Sequence, residues 1–348
     1  MTKQHLYTVI LLASATALSC CGGSDGGVNS AATASPPAAP AAPSSPPPAS
    51  TNITTFASPA TRPGTYDTIA IVDRGGGTPG PSTHRLAAPG EIRISTYQST
   101  SVPNELSYTL EFTSAELPAN HSALTAIFPP QEIDTPVGKV TLKFGDQFTY
   151  TSGQITGRGS RVADGSSVAS ENLNADQKLE SQLSYNAGLS HVSLGQWNWW
   201  VTDRHTGNSL EYNSVYFVHG DRTAVGDIPS SGTATYSGTS LGQIDVALTA
   251  DFAQRSIAAQ LSRDAQTWGD AIGGYTSVAA VDLHGTGGIA SSGSFAVPLA
   301  GTVDTMPATG ALDGAFFGPN AEQVGGVFAA GDGAGQALVR DAFVGLRN

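Results

Sequence analysis

Cysteine is almost absent from the chain: its 348 residues include only Cys20 and Cys21. A secreted fold stapled by disulfides needs cysteines spread through its body, so that class is excluded. Charged residues are also scarce, at 13%, and acidic ones prevail, which gives a net charge of −12. Because no basic patch is visible, we expect no nucleic acid among the partners.

Signals for catalysis and metal binding are weak as well. No phosphate-binding loop occurs, and the seven histidines show no close pairing typical of a zinc site. We therefore expect a protein that is not an enzyme and has neither a metal nor a resident cofactor. A carbohydrate-active enzyme of β-architecture stays a remote alternative, because two carboxylates that face a cleft leave no linear motif.

An export signal opens the chain, and we assign it to residues 1–20. After Lys3, residues 6–17 form an apolar run, which is shorter than the roughly 20 residues that span a bilayer. The run leads into the sequence LSCC, which resembles a lipobox. Counting its leucine as position −3 makes Cys21 the lipidated residue, and the reading one residue earlier makes it Cys20. An ordinary secretory signal with two incidental cysteines is the other interpretation.

Residues 21–54 are predicted to be the lipidated cysteine and a flexible tether. Residues 31–50 contain seven prolines and no large side chain, so they have nothing to bury against the entropy cost of ordering. Acyl chains on the cysteine would hold the protein at a membrane without a transmembrane helix. Gly22 after the anchor, in place of aspartate, favours transport to the outer membrane. Orientation towards the cell surface or the periplasm stays open.

The remaining residues alternate between apolar and polar with a period of two, as in half-buried strands. Residues 105–112 and 245–252 show the pattern most clearly, and only residues 169–183 show a weak helical pattern. From residue 230 onwards, glycine and alanine dominate. Small inward side chains suit a narrow closed barrel, and the length allows about eight strands. The predicted fold class is all-β, with a β-rich domain at 55–228 and an antiparallel barrel at 229–348.

A family resemblance is carried by the C-terminal third of the chain. Residues 314–328, GAFFGPNAEQVGGVF, are similar to the signature of the β-barrel domain of the transferrin-binding protein B family of surface lipoproteins. Shorter segments at 216–220, 228–238 and 248–252 resemble the entry to that barrel and its second strand. In physical terms, the signature supplies aromatic core mass, a turn, and a Gly-Gly pair for close strand approach or a bulge.

The resemblance implies a handle-like domain at 55–228 followed by the barrel, although the match is weaker over the first part. It also implies an outer-membrane lipoprotein, facing the cell surface, that captures a host or environmental protein, an iron carrier or haem. An outer-membrane transporter is then the expected second partner. An adhesin or a regulator-binding lipoprotein, like the factor H binders of this family, is the alternative.

The candidate ligand-binding residues lie together in the sequence. Trp197, Trp199 and Trp200 are three of the four tryptophans, and tryptophan is enriched at binding hot spots. On a strand, the first two share one face and Trp200 points to the other, so core packing competes with ligand binding. His191 and His205 are the candidate haem ligands, because a haem needs only one histidine.

Lipidation provides the first prediction. Mass spectrometry of the mature N-terminus should find an acylated Cys21, or Cys20 in the alternative reading. Replacing both cysteines by serine should release a soluble protein or leave an uncleaved precursor, because the thiol that accepts the lipid is gone. An unmodified mature N-terminus at another residue would contradict the lipoprotein assignment.

Overall fold

The computed structural model describes the chain in ranges that begin at residue 62, so the predicted signal peptide, Cys20, Cys21 and the tether lie outside them. The described residues are 62–76, 83–86, 90–100, 102–115, 123–128, 130–135, 138–142, 150–151, 154–155, 169–172, 175–186, 189–269 and 275–348. Among them, no helix has the length and apolar character needed to cross a membrane.

Within the described ranges, thirteen strands precede residue 221. They are β1 Gly64–Gly76, β2 Thr83–Leu86, β3 Glu91–Gln98, β4 Leu106–Thr113, β5 Leu124–Phe128, β6 Gln131–Thr135, β7 Gly138–Leu142, β8 Tyr150–Thr151, β9 Gln154–Ile155, β10 Ala169–Asn172, β11 Gln177–Asn186, β12 Val192–Asp203 and β13 Ser209–Gly220. Nine of them form one antiparallel sheet in the order β10-β11-β12-β13-β1-β3-β4-β5, with β2 also paired to β1. The pairs β6–β7 and β8–β9 are separate two-stranded sheets.

Ten further strands follow in the described residues after 221. They are β14 Thr233–Ser240, β15 Asp245–Asp251, β16 Ser256–Arg263, β17 Gln266–Gly269, β18 Tyr275–Val278, β19 Val281–Ile289, β20 Ser294–Val303, β21 Met306–Phe317, β22 Gln323–Gly331 and β23 Ala337–Arg347. Eight of these close into a barrel, β14-β15-β16-β19-β20-β21-β22-β23, because β23 pairs back onto β14. The hairpin β17–β18 is inserted between β16 and β19.

The predicted fold class is confirmed: the described residues form an open sheet and a closed antiparallel barrel of eight strands. Their only helical segments are the single 3-10 turns Val225–Asp227 and Pro319–Ala321. The weak helical pattern at 169–183 was wrong, because β10 and β11 are strands. In β11 the residues that reach the core are Leu179, Ser181 and Leu183, which is a period of two. The domain boundary at 228/229 stays a prediction; it falls between β13 and β14.

Three apolar clusters lie among the described strands of the open sheet and the barrel. The barrel interior is filled by side chains from all eight barrel strands, among them Leu248, Phe316 and Phe328. A second cluster covers one face of the open sheet from β11 to β5, and those two strands lie in contact across it. The third cluster, which we call the sheet–barrel interface, consists of Ile71, Val192, Leu194, Val218, Ala315, Phe317, Val327, Ala329, Ala342 and Val344.

Strand β22 shows how tightly the open sheet packs on the barrel, since all nine of its residues are buried. A Cβ atom added to Gly325 would lie 2.7 Å from Cγ2 of Val192 in β12, and one added to Gly326 would lie 2.3 Å from the Asp313 carbonyl oxygen. The Gly-Gly pair therefore serves close approach. The alternative of a bulge there was wrong, because the register shift of β22 lies at Ala330/Gly331.

The same contact provides a stability prediction. Gly325→Ala should lower the free energy of unfolding by about 1–3 kcal/mol, because its Cβ overpacks the sheet–barrel interface. The matched control is Gly333→Ala, where the added Cβ meets nothing within 4 Å; its effect should stay within about 0.5 kcal/mol. Urea unfolding measures both.

A second pair of variants separates overpacking at Val192 from a general intolerance of Gly325. Gly325→Ala should cost less in a Val192→Ala background than in the native protein, because the atom that it meets has been removed. Equal costs in the two backgrounds would show that the contact with Val192 is not what limits residue 325.

Candidate functional site

One face of β12 belongs to the core. Trp197 and Trp199 are each 1% exposed and pack in the apolar cluster of the open sheet. The ring centroids of Trp197 and Phe112 are 6.2 Å apart. Direct contact with a ligand would require these indoles to leave the core, so the geometry assigns the pair to stability. The predicted alternation along the strand is confirmed.

The opposite face of β12 changes character along its length. Val192 and Leu194 lie at its start and are buried in the sheet–barrel interface. Gln196, Asn198 and Trp200 follow on the same face and are half-buried. The barrel thus covers the first part of this face and leaves the second part partly accessible.

A polar network occupies the middle of this face. The Gln196 amide donates from Nε2 to Oδ1 of Asn198 at 2.9 Å and to the Tyr216 hydroxyl at 3.0 Å. The Ser214 hydroxyl donates to the same Asn198 oxygen at 2.6 Å. These bonds join β12 to β13 and fix the side chains in the middle of the face.

An aromatic pair ends the face. Trp200 lies directly opposite Tyr212 on β13, with ring centroids 6.3 Å apart and planes 21° apart. Tyr212 is 42% exposed. Leu210, the residue of β13 that is left unpaired at the register shift between Val201 and Thr202, is 45% exposed. We call Trp200, Tyr212 and Leu210 the aromatic face. Apolar side chains that stay accessible next to a polar network are typical of a protein-binding patch.

The two candidate haem ligands do not join this face. His191 precedes β12 and lies nine residues from Trp200, about 30 Å along a strand. Its Nε2 is 2.9 Å from Oε1 of Glu322, and its Nδ1 is 3.4 Å from Oδ2 of Asp221. His205 lies on the exposed turn after β12, with Nε2 at 3.0 Å from Oδ1 of Asp176.

Neither histidine lies in an apolar cleft. Both ring nitrogens of His191 lie near carboxylates, so a haem iron would have to displace one of these contacts, whereas only Nε2 of His205 has such a neighbour. Within the described ranges, no group of three or more His, Cys, Asp or Glu side chains is placed to hold a metal ion. The roles of His191 and His205 as haem ligands stay predictions.

Among the histidines whose burial the structure describes, the most deeply buried is one that sequence reasoning did not single out. His219, at the end of β13, is 0% exposed and lies between the rings of Tyr66 and Phe217, at centroid distances of 5.2 and 6.3 Å. Burial lowers the pKa of His219 to about 3, so its imidazole is neutral at physiological pH. The alternation of β13 was the available signal, since it places residue 219 on the face of Val215 and Phe217.

A catalytic motif was also overlooked. Residues 238–242, GTSLG, match the pattern Gly-x-Ser-x-Gly of hydrolase nucleophiles. That pattern needs a strand-to-helix turn with an exposed serine, whereas Ser240 is 5% exposed at the turn between β14 and β15. Its Oγ accepts from the Ile244 amide at 3.1 Å, and it also hydrogen bonds to Asp341. Ser240 therefore stabilises a hairpin. The same pattern at residues 22–26 lies outside the described residues.

Comparison with known proteins gave no matching family model and no matching curated protein. Solved structures do show likenesses. One is a double mutant of transferrin-binding protein B from Haemophilus parasuis, at 14% identity over 81% of this chain and 75% of that one, with a TM-score of 0.34.

Two further similar structures come from other bacteria. Transferrin-binding protein B from serogroup B Neisseria meningitidis is 16% identical over 76% of this chain and 52% of that one, with a TM-score of 0.30. The N-lobe domain of lactoferrin-binding protein B of Moraxella bovis is 13% identical over 60% and 93%, with a TM-score of 0.29. At these TM-scores nothing about this chain is inferred from the similar structures. The assignment of the fold depends on the strand pairing described above.

The burial of His219 predicts a pH dependence. Between its native pKa of about 3 and the ordinary 6.5, the unfolded chain binds a proton that the native protein does not. The contribution of His219 to stability is therefore complete above pH 6.5 and is lost as the pH falls towards 3. From pH 7.5 to 5, the loss should be about 2 kcal/mol.

Urea unfolding of His219→Phe at both pH values tests this. The native protein should lose about 2 kcal/mol more than the variant. Asp341, whose pKa burial raises to about 6, acts in the opposite direction in both proteins and cancels in the difference. His284→Gln, on the exposed outer wall of the barrel, is the control. Equal losses in the native protein and His219→Phe would contradict the assignment.

Proposed function

We propose that the protein is an outer-membrane lipoprotein that captures a protein ligand on its aromatic face. The observation that carries the proposal is the pairing of Trp200 with Tyr212 outside all three apolar clusters. Large aromatic side chains supply most of the binding energy at protein interfaces, because they desolvate much area at little cost in rotamer entropy.

Pre-organisation supports the same face. Trp200 is held by its stacking on Tyr212 and stands next to a hydrogen-bonded network on two long paired strands. A partner that docks there does not have to immobilise these side chains, and this saves part of the cost of association. Burial of Val192 and Leu194 against the barrel fixes the orientation of β12.

The lipid anchor and tether, predicted from the sequence, would place this face outside the membrane. Capture of an iron-carrier protein, with delivery to an outer-membrane transporter, is the form of the function that the family resemblance favours. In the adhesin form of the function, the same face binds a protein partner, and nothing is delivered to a transporter. Haem is less well supported, because both ring nitrogens of His191 already have carboxylate neighbours and His205 lies on an exposed turn and not in an apolar cleft.

Substitution of the two kinds of tryptophan tests the proposal. Trp200→Ala should weaken binding of a protein ligand about thirtyfold, equivalent to ~2 kcal/mol, and should leave most of the stability intact. Trp199→Ala should instead cost about 3–5 kcal/mol of stability, because it opens a cavity in the core. Surface plasmon resonance against transferrin, lactoferrin and haemoglobin measures binding, and urea unfolding measures stability.

The chain offers a closely matched control. Tyr97 is 43% exposed, against 42% for Tyr212, but it lies on β3. Tyr212→Ala should weaken binding and Tyr97→Ala should not. If none of the three proteins binds, the iron-carrier form is wrong. If one binds and both tyrosine variants bind it equally, the aromatic face is wrong.

A further inference from the structure

A cleft of about 470 Å³ opens where β1 of the open sheet meets the barrel strands β19 to β21. Thr68 and Ala70 line it on the sheet side, and Ala290 and Ala296 line it on the barrel side. These side chains are small, so the space between sheet and barrel stays unfilled. Junctions of this kind are common positions for small-molecule sites.

One wall of the cleft carries a carboxylate without a partner. Asp313 lies on the outer face of β21, between Ala296 on β20 and Val327 on β22. It is half-buried, and within the described part of the chain its carboxylate makes no hydrogen bond or ion pair. Desolvation raises the pKa of Asp313, which is the expected response of a carboxyl that has lost water and gained no donor.

A positive charge lines the same cleft. The Arg222 guanidinium lies 5.9 Å from the centroid of the Phe317 ring, and the two residues form a backbone bridge. Among the described residues Arg222 makes no ion pair within 4 Å, although the charge of nearby Asp67 raises its pKa against the larger effect of desolvation. Arg222 therefore retains donors for an anion.

We propose that this cleft binds a small amino-carboxylate zwitterion, with its ammonium group on Asp313 and its carboxylate on Arg222. The two protein charges line one cavity and do not pair with each other. Phe317, which is bridged to Arg222, lies four residues from Asp313 on β21, about 13 Å along the strand. A ligand that carries both charges completes two charge-assisted hydrogen-bonding sites at once.

This site is distinct from the aromatic face. Ala70 pairs with Phe217, five residues along β13 from Tyr212, which is about 17 Å. The two proposals can therefore fail independently, and Trp200→Ala should bind the zwitterion as the native protein does.

Isothermal titration calorimetry of the purified chain tests the proposal with three probes of increasing charge separation: glycine, 4-aminobutyrate and 6-aminohexanoate. At least one should bind with a Kd of about 1 mM or tighter. For that probe, the analogues that lack one charge should bind at least about tenfold more weakly, a difference of ~1.4 kcal/mol. For 4-aminobutyrate these analogues are butylamine and butyrate, and for 6-aminohexanoate they are hexylamine and hexanoate; for glycine they are methylamine and acetate.

Asp313→Asn and Arg222→Gln should each weaken the same probe about tenfold or more. Asp282→Asn, on the exposed outer face of β19, is the matched control and should leave the affinity for the probe unchanged.

The absence of saturable binding by all three probes overturns the proposal, and so does an analogue with one charge that binds as well as the zwitterion. The analogue series uses the native protein, so the test does not depend on the folding of a variant. Loss of binding in Asp313→Asn alone would reduce the cleft to a cation site and would likewise overturn it.

Discussion

The packing of the open sheet on the outer wall of the barrel is the contact on which the rest of the structure depends. A barrel strand ordinarily has one buried and one wet face, but β22 is buried at every position because β12 and β13 cover its outer side. Gly325 makes this approach feasible, since Val192 occupies the space of a side chain there. The signature that resembles a barrel motif is thus also an interface motif: Phe316 fills the barrel and Phe317, its neighbour, fills the interface.

This contact divides β12 and β13 into a part that the barrel covers and a part that stays accessible. Near the barrel, Val192, Leu194 and Val218 are fixed by apolar burial. Further along, the same face carries a polar network and then the Trp200–Tyr212 pair. Because the strands are continuous, the buried half restrains the position of the accessible half. The same junction leaves the cleft that contains Asp313 and Arg222, where small side chains fail to fill the space.

Much of the architecture was predictable from the sequence, since strand alternation depends on near neighbours. The pattern at 245–252 gave β15, and the alternation at 197–200 placed Trp200 opposite Trp197 and Trp199. Which face is core was not predictable, because both faces of β12 are buried at its start and only the barrel decides where the burial ends. His191 and Glu322 are 131 residues apart in the printed sequence, and no local pattern relates them.

The same limit applies to the candidate sites. Asp313 lies on a barrel strand and Arg222 on the connection that follows the open sheet, so only the packing of sheet on barrel brings them to one cleft. The Gly-x-Ser-x-Gly match at Ser240 is the reverse case, in which a local pattern predicts a catalytic site that the fold does not form. The local pattern is present, but the strand turns into a hairpin and buries the hydroxyl.

Native-state hydrogen exchange tests most directly whether the sheet is fixed on the barrel. The amides of Val192 and Leu194 in β12 should exchange with the same free energy of opening as those of Val327 and Ala329 in β22, because neither strand can expose the shared interface without the other. Exchange of the β12 amides through an opening that is ~2 kcal/mol or more easier, with β22 still protected, would contradict the account. The open sheet would then move independently of the barrel, and the aromatic face would have no fixed support.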